Sequence, residues 1–150
     1  MLPRDAAMRR RAHVLKVASQ AFLLALAVPV LARLDLELLQ RVLEPRRFGH
    51  ASRPKDVQGL GTEYATIVDA VVLRARPLVR RNCLTRGITL YALLRRAGVE
   101  VSLCFGIDPQ FEGHAAGHCW LVLDDQPFLE QNDPRSIFTG VATVSSAGVA

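Results

Sequence analysis

Cysteine is scarce. The three present are odd in number and show no Cys-x-x-Cys spacing, so neither a disulfide framework nor a paired-cysteine zinc motif is available. A reducing, cytoplasmic setting is the expectation that follows. Lysine is nearly absent, with 2 residues against 17 arginines, and aromatic residues make up only 6% of the 150 positions. The net charge of +5 therefore comes without the basic stripe interleaved with aromatics that a nucleic-acid surface shows, and nucleic acid is not an expected partner. Long hydrophobic runs are also missing. The apolar stretch Ala21 to Ala32 contains Pro29, is followed by Arg33, Asp35 and Glu37, and falls short of the about 20 residues that span a bilayer. Arg9 to Arg11 ahead of it imitate a signal peptide. The apolar pattern continues through Leu34, Leu36, Leu38, Leu39, Val42 and Leu43, however, so the segment reads as one or two amphipathic helices capping the domain, kinked or divided at Pro29. Peripheral membrane contact is the alternative use of such helices.

What is there describes one globular domain: half the residues are hydrophobic and 22% are charged. The expected divisions are an N-terminal helical segment over 1–45, a core over 46–139 and a small, uncharged, flexible tail over 140–150. From Glu44 to Gly61, closely spaced Pro and Gly residues mark a connector. Thr62 is placed to cap a helix from about Glu63 to Arg76, which Pro77 ends. Leu84, Ile88, Tyr91 and Leu94 then form an apolar stripe of helical period, widened by Leu90 and Leu93, with Asn82 as N-cap and Gly98 as stop. After Gly98 the period changes to two. Val99, Val101, Leu103 and Phe105 make one strand closed by Gly106, His118 to Leu123 a second and Pro127 to Gln131 a third. Asp124, Asp125 and Gln126 are read as a three-residue hairpin loop. The fold class is α+β, with N-terminal helices and a cysteine-bearing helix packed on a small antiparallel sheet.

Asn82 as cap puts Cys83 in the first turn, where free N–H groups and the helix dipole favour an anion, and Arg80, Arg81 and Arg86 act in the same direction. Such a thiol has a lowered pKa and is suited to nucleophilic attack; the plainer reading is a small buried hydrophobe. His118 on a later strand changes the balance. Cys83, His118 and Glu130 follow the chain order of nucleophile, base and orienting acid used by papain-like and transglutaminase-like enzymes. A three-residue loop makes His118 and Glu130 diagonal neighbours on one face, roughly 7 to 8 Å apart. A two-residue loop would separate them onto opposite faces. Asp133 and Asn132 are substitutes for the acid, as are Asp124 and Asp125, which read more simply as turn residues. Trp120 either walls the cleft or is a core aromatic. Cys83, Cys104, His114, His118 and Cys119 are possible metal ligands, but Gly113 and Gly117 argue against a helix joining the two histidines, and neither metal nor cofactor is expected.

Three pieces carry a resemblance: Arg81 to Gly87 followed by Leu93 to Gly98, Leu103 to Ile107, and Gly117 to Val122. Over about residues 63 to 135 the chain resembles the C-terminal protease half of the lasso-peptide B proteins, the microcin-processing branch of the transglutaminase-like superfamily. The resemblance implies Cys83 as nucleophile and His118 as base, with Glu130 in the place of the family's orienting Asp and Cys119 where the family usually has Ala. It implies a cysteine peptidase that removes the leader from a ribosomally made precursor peptide and passes the core to an ATP-dependent cyclase. With no room for a winged-helix leader-binding domain beside the protease, a separate leader-recognition protein is the expected partner. An acyl transferase of the same fold and a non-catalytic peptide-binding module are the rival functions.

Overall fold

The structure, a computed structural model, describes residues 3–45, 53–111 and 116–149. Four helices come first: α1 (Pro3–Leu31), α2 (Leu36–Leu43), α3 (Val57–Arg74) and α4 (Cys83–Arg96). Five strands follow: β1 (Ser102–Ile107), β2 (Gly117–Leu123), β3 (Gln126–Phe128), β4 (Thr139–Ser145) and β5 (Gly148–Val149), with a 3-10 turn at Pro134–Ser136. They form one antiparallel sheet in the order β3-β2-β1-β4-β5.

Helix α4 is the centre of the molecule because it is apolar nearly all round. Ile88 through Leu94 are all buried, between α1 and α3 on one side and the sheet on the other. Its ends are fixed by local chemistry. The Asn82 side chain accepts the Thr85 N–H at 2.8 Å. At the other end Gly98 takes φ 82°, so that its own N–H reaches Arg95 O and the Val99 N–H reaches Leu94 O, a Schellman close that hands a buried Val99 to the sheet.

The N-terminal segment belongs to the same core. Val17, Ala21, Ala25, Val28 and Leu31 recur at helical spacing and are buried where α1 packs on α3 and α4, the two alanines admitting close approach. Pro29 does not divide the helix; it lies in its last turn, and the break comes at Ala32 to Asp35, where Asp35 accepts the Leu38 N–H at 2.8 Å to start α2. By length and composition α1 could cross a membrane, and 28% of its most apolar 18-residue window is buried inside the domain. Glu44 at the end of α2 is tied to α4 by Arg95, with Nη2 to Oε2 at 2.9 Å, and by the Tyr91 hydroxyl, which donates at 2.7 Å.

Three expectations are corrected. Helix α3 begins at Val57, six residues before the expected start, because the Asp56 carboxylate accepts the Gly59 N–H at 2.7 Å and holds Gly59 and Gly61 in helix. The connector's residues 46–52 lie outside the described residues. Gly106 does not close the first strand but sits inside β1, which runs to Ile107. The segment from Gly140, expected to be a flexible tail, is β4 and β5: Val144 pairs with Leu103 and is fully buried, since β1 would otherwise leave one side of its ladder unpaired. The buried cluster runs from Val17 to Val144 as one core, across the expected divisions at 45 and 139.

Candidate active site

The first turn of α4 points into a cleft of about 620 Å³ that Cys83, Arg86, His118, Trp120, Glu130 and Phe138 help to line. Cys83 is half-buried there. Asn82 takes the Thr85 N–H, and the adjoining backbone N–H groups of the turn keep their positive field beside the thiol. Cys119, on the face of β2 that packs against α4, donates its thiol to the Cys83 carbonyl at 3.0 Å. Its side chain and its backbone N–H also act on the Cys83 thiol as hydrogen-bonding neighbours that favour the thiolate. These bonds, joined by His118, outweigh burial and bring the Cys83 thiol down to about 5, so it is a thiolate at neutral pH. The other two thiols go the other way: Cys119 is pushed up by its interaction with Cys83 and by burial, and Cys104 by burial.

His118 is the second residue of β2, where the strand meets the start of α4. Its ring stacks on Trp120 at 5.9 Å between centroids and lies 5.0 Å from Phe138 at a 31° tilt. Two residues apart on a strand, His118 and Trp120 share a face. Trp120 is both core and wall: it lines the cleft yet is 2% exposed. Its ring lies over Gly106, where an added Cβ would approach it to 2.7 Å. That close approach is why a glycine interrupts the β1 pattern.

The route by which Glu130 reaches His118 differs from the expected one. The hairpin loop has two residues, Asp124 and Asp125, both left-handed at φ 48° and 62°, and Leu123 pairs with Gln126. Continued as a strand, this register would put His118 and Glu130 on opposite faces. Strand β3 instead stops at Phe128 and Leu129 takes φ 63°, which turns the chain out of the ladder, and the alternation no longer governs Glu130. Its Oε2 lies 3.7 Å from His118 Nε2, within ion-pair range, which leaves Nδ1 for the thiol proton. Burial raises the Glu130 carboxyl above its ordinary value; Arg86 and His118 pull it down without cancelling that rise.

The substitute acids are engaged elsewhere. Asp133 caps the 3-10 turn through the Arg135 N–H and pairs with the Arg135 side chain at 2.7 Å. Asp124 pairs with Arg53 at 3.2 Å, and Asp125 is a turn residue. Asn132 is exposed at the cleft margin. Among the described residues no group of three or more His, Cys, Asp or Glu side chains is arranged to hold a metal ion, and His114 lies outside the described residues.

Three contributors are not assigned by motif. Arg86, read in the sequence only as a local positive charge, joins three elements: Nε donates to Asp69 on α3 at 2.9 Å, Nη1 lies 3.8 Å from Glu130, and Nη2 reaches Leu129 O at 3.5 Å. Its position three residues after Cys83, on the same side of the helix, was the available signal. Cys119 could have been found by its alternation with His118. Phe138 follows an irregular segment and carried no signal.

An α+β domain with a low-pKa cysteine opening a helix, a histidine on a strand and a carboxylate beside it defines a thiol-dependent acyl-transfer site, the chemistry of cysteine proteases and related acyl transferases. The profile of the transglutaminase-like superfamily matches residues 24–143, and the chain belongs to that superfamily. Comparison with curated proteins and with solved structures gives no match.

Proposed function

We propose that the protein is a cysteine peptidase that removes the leader from a ribosomally synthesised precursor peptide, in the manner of lasso-peptide maturation. The observation that carries the reading is the convergence of Cys83, His118 and Glu130 in one cleft, together with the sequence pieces around Cys83 and His118 that resemble the lasso-peptide B proteins. The Cys83 thiolate attacks the scissile carbonyl, and the Cys83 backbone N–H at the start of α4 faces the developing oxyanion. His118, with the Glu130 carboxylate 3.7 Å from its Nε2, gives a proton to the leaving amine. It then takes a proton from the water that opens the acyl-enzyme. Arg86 opposes the rise that burial gives Glu130 and tethers its segment to α3. The substrate would reach the site with a separate leader-recognition protein in the cytoplasm, and the product would pass to the cyclase.

The test is incubation of the protein with precursor peptides encoded nearby, with and without a leader-binding partner, followed by mass spectrometry. Loss of a leader fragment with wild type and not with Cys83→Ala is the expected result. An intact peptide carrying a new amide bond would assign an acyl transferase instead, and unchanged peptide in every arm would leave a binding module as the function.

A further inference from the structure

Cys119 helps to lower the Cys83 thiol, yet the resemblance places alanine at this position, so cleavage chemistry does not by itself explain a sulfur there. In this chain it stands against the nucleophile. Its thiol lies 3.0 Å from the Cys83 carbonyl oxygen, against the residue that bears the nucleophile, and it favours the Cys83 thiolate. Residue 87, one turn along α4, is glycine, and an added Cβ there would come within 2.9 Å of Cys119 Sγ. The helix is thus left open to admit the second sulfur. Cys119 is 4% exposed, whereas Cys83 is half-buried in an open cleft, so solutes reach Cys83 and not Cys119.

We propose that Cys83 and Cys119 form a modification site: a peroxide oxidises Cys83, and Cys119 resolves the product into a reversible intramolecular disulfide that silences the nucleophile. The Cys83 thiolate attacks one oxygen of hydrogen peroxide, the O–O bond breaks, and the departing hydroxide is protonated to water, leaving Cys83 as the sulfenic acid. The Cys119 sulfur then attacks the Cys83 sulfur, the S–O bond breaks, and hydroxide leaves with the Cys119 proton as a second water. Two thiols lose two electrons and one peroxide is reduced to two waters. Cys119 is a poor nucleophile while it faces the Cys83 thiolate, because that negative charge holds its proton on. Oxidation of Cys83 removes the charge, so the resolving step switches on only after the first has occurred. A catalytic thiolate without such a neighbour proceeds to the sulfinic acid, which thiols do not reverse. The regulatory consequence rests on Cys83 being the nucleophile of the proposed peptidase; formation of the bond rests only on Cys119 lying against Cys83.

The experiment uses the full chain with Cys104→Ser, which removes the remaining cysteine, one that does not line the cleft and lies beside Thr143. The protein is treated with stoichiometric hydrogen peroxide, blocked with iodoacetamide and read by intact mass and tryptic mapping, before and after dithiothreitol. The expected result is a monomer lighter by two hydrogens, a linked pair of peptides carrying Cys83 and Cys119, no alkylation at either, and full alkylation of Cys83 after reduction. In the same background Cys119→Ala, given two or more equivalents of peroxide, should take up two oxygens at Cys83 as the sulfinic acid and keep them through reduction. Peroxide-treated protein in which Cys83 carries sulfinic acid while Cys119 stays free, or in which the only disulfides join two chains, would overturn the proposal. None of these readouts needs a peptide substrate, so failure of the peptidase reading would be seen separately.

Discussion

At the scale of the residue, the Cys83 thiol is set by what donates to it. Cys119 and His118 stabilise the thiolate more than burial disfavours it, and the ordinary thiol value of 9.0 falls to about 5. The active form is the deprotonated one, so reactivity is present above that pKa and is lost as the pH falls through it. Alkylation of native protein by iodoacetamide should therefore hold its rate from pH 8 to about pH 6 at Cys83 and fall by about half near pH 5, while Cys104 and Cys119 stay slow throughout. In His118→Ala the midpoint should move up, because a donor and a positive neighbour are both gone. Glu130 acts one step further out. Glu130→Gln keeps the shape and removes the charge that faces His118 Nε2, and we expect peptide-cleavage kcat to drop by about a hundredfold with KM little changed. A loss confined to KM would instead make Glu130 a substrate-contacting residue.

At the scale of the element, the pieces of the site are aimed by a few backbone details. Asn82, Gly98 and the alternation of β2 were all legible, since caps and periodicity are local properties of the chain. The turn of Asp124 and Asp125 was not, because both must take positive φ and neither is the glycine or asparagine that usually announces it. Leu129 was less legible still: nothing in a leucine signals a left-handed backbone, which is held there by the surrounding packing. Gly106 shows what one atom does to the arrangement. Gly106→Ala puts a Cβ 2.7 Å from the Trp120 ring and 2.9 Å from the Thr139 carbonyl, in a strand paired on both sides and unable to yield. The expected outcome is a loss of about 2 kcal/mol in denaturant unfolding, together with a changed indole fluorescence and slower Cys83 alkylation, as the Trp120 ring carries His118 with it.

At the scale of the molecule, a part-buried link joins the N-terminal helices to α4. Burial raises the Glu44 carboxyl, but the bonds from Arg95 and Tyr91 outweigh it and leave Glu44 below its ordinary 4.5. A carboxyl depressed in the folded state contributes stability that is complete above its unfolded value and is lost as pH falls through the folded one. Glu44→Gln should thus lower stability by about 2 kcal/mol at pH 7, with the difference from wild type shrinking below about pH 4.5 in urea titrations. Equal differences at pH 7 and pH 3 would show that the charge has no part in it.

The sequence alone determined the elements around the site: the capped helix that begins at Cys83, the strand that bears His118, the α+β class and the resemblance. Each depends on interactions within a few residues, where cap chemistry and hydrophobic period leave a readable trace. The tertiary structure decided what depends on distant parts of the chain. Segment 139–149 became strand because β1 needed a second partner, α1 became a core helix because α3 and α4 offered it a face, and Glu130 met His118 because the chain left the sheet at Leu129. In each case the free energy comes from burial or pairing against residues far away in sequence, and no local pattern records it.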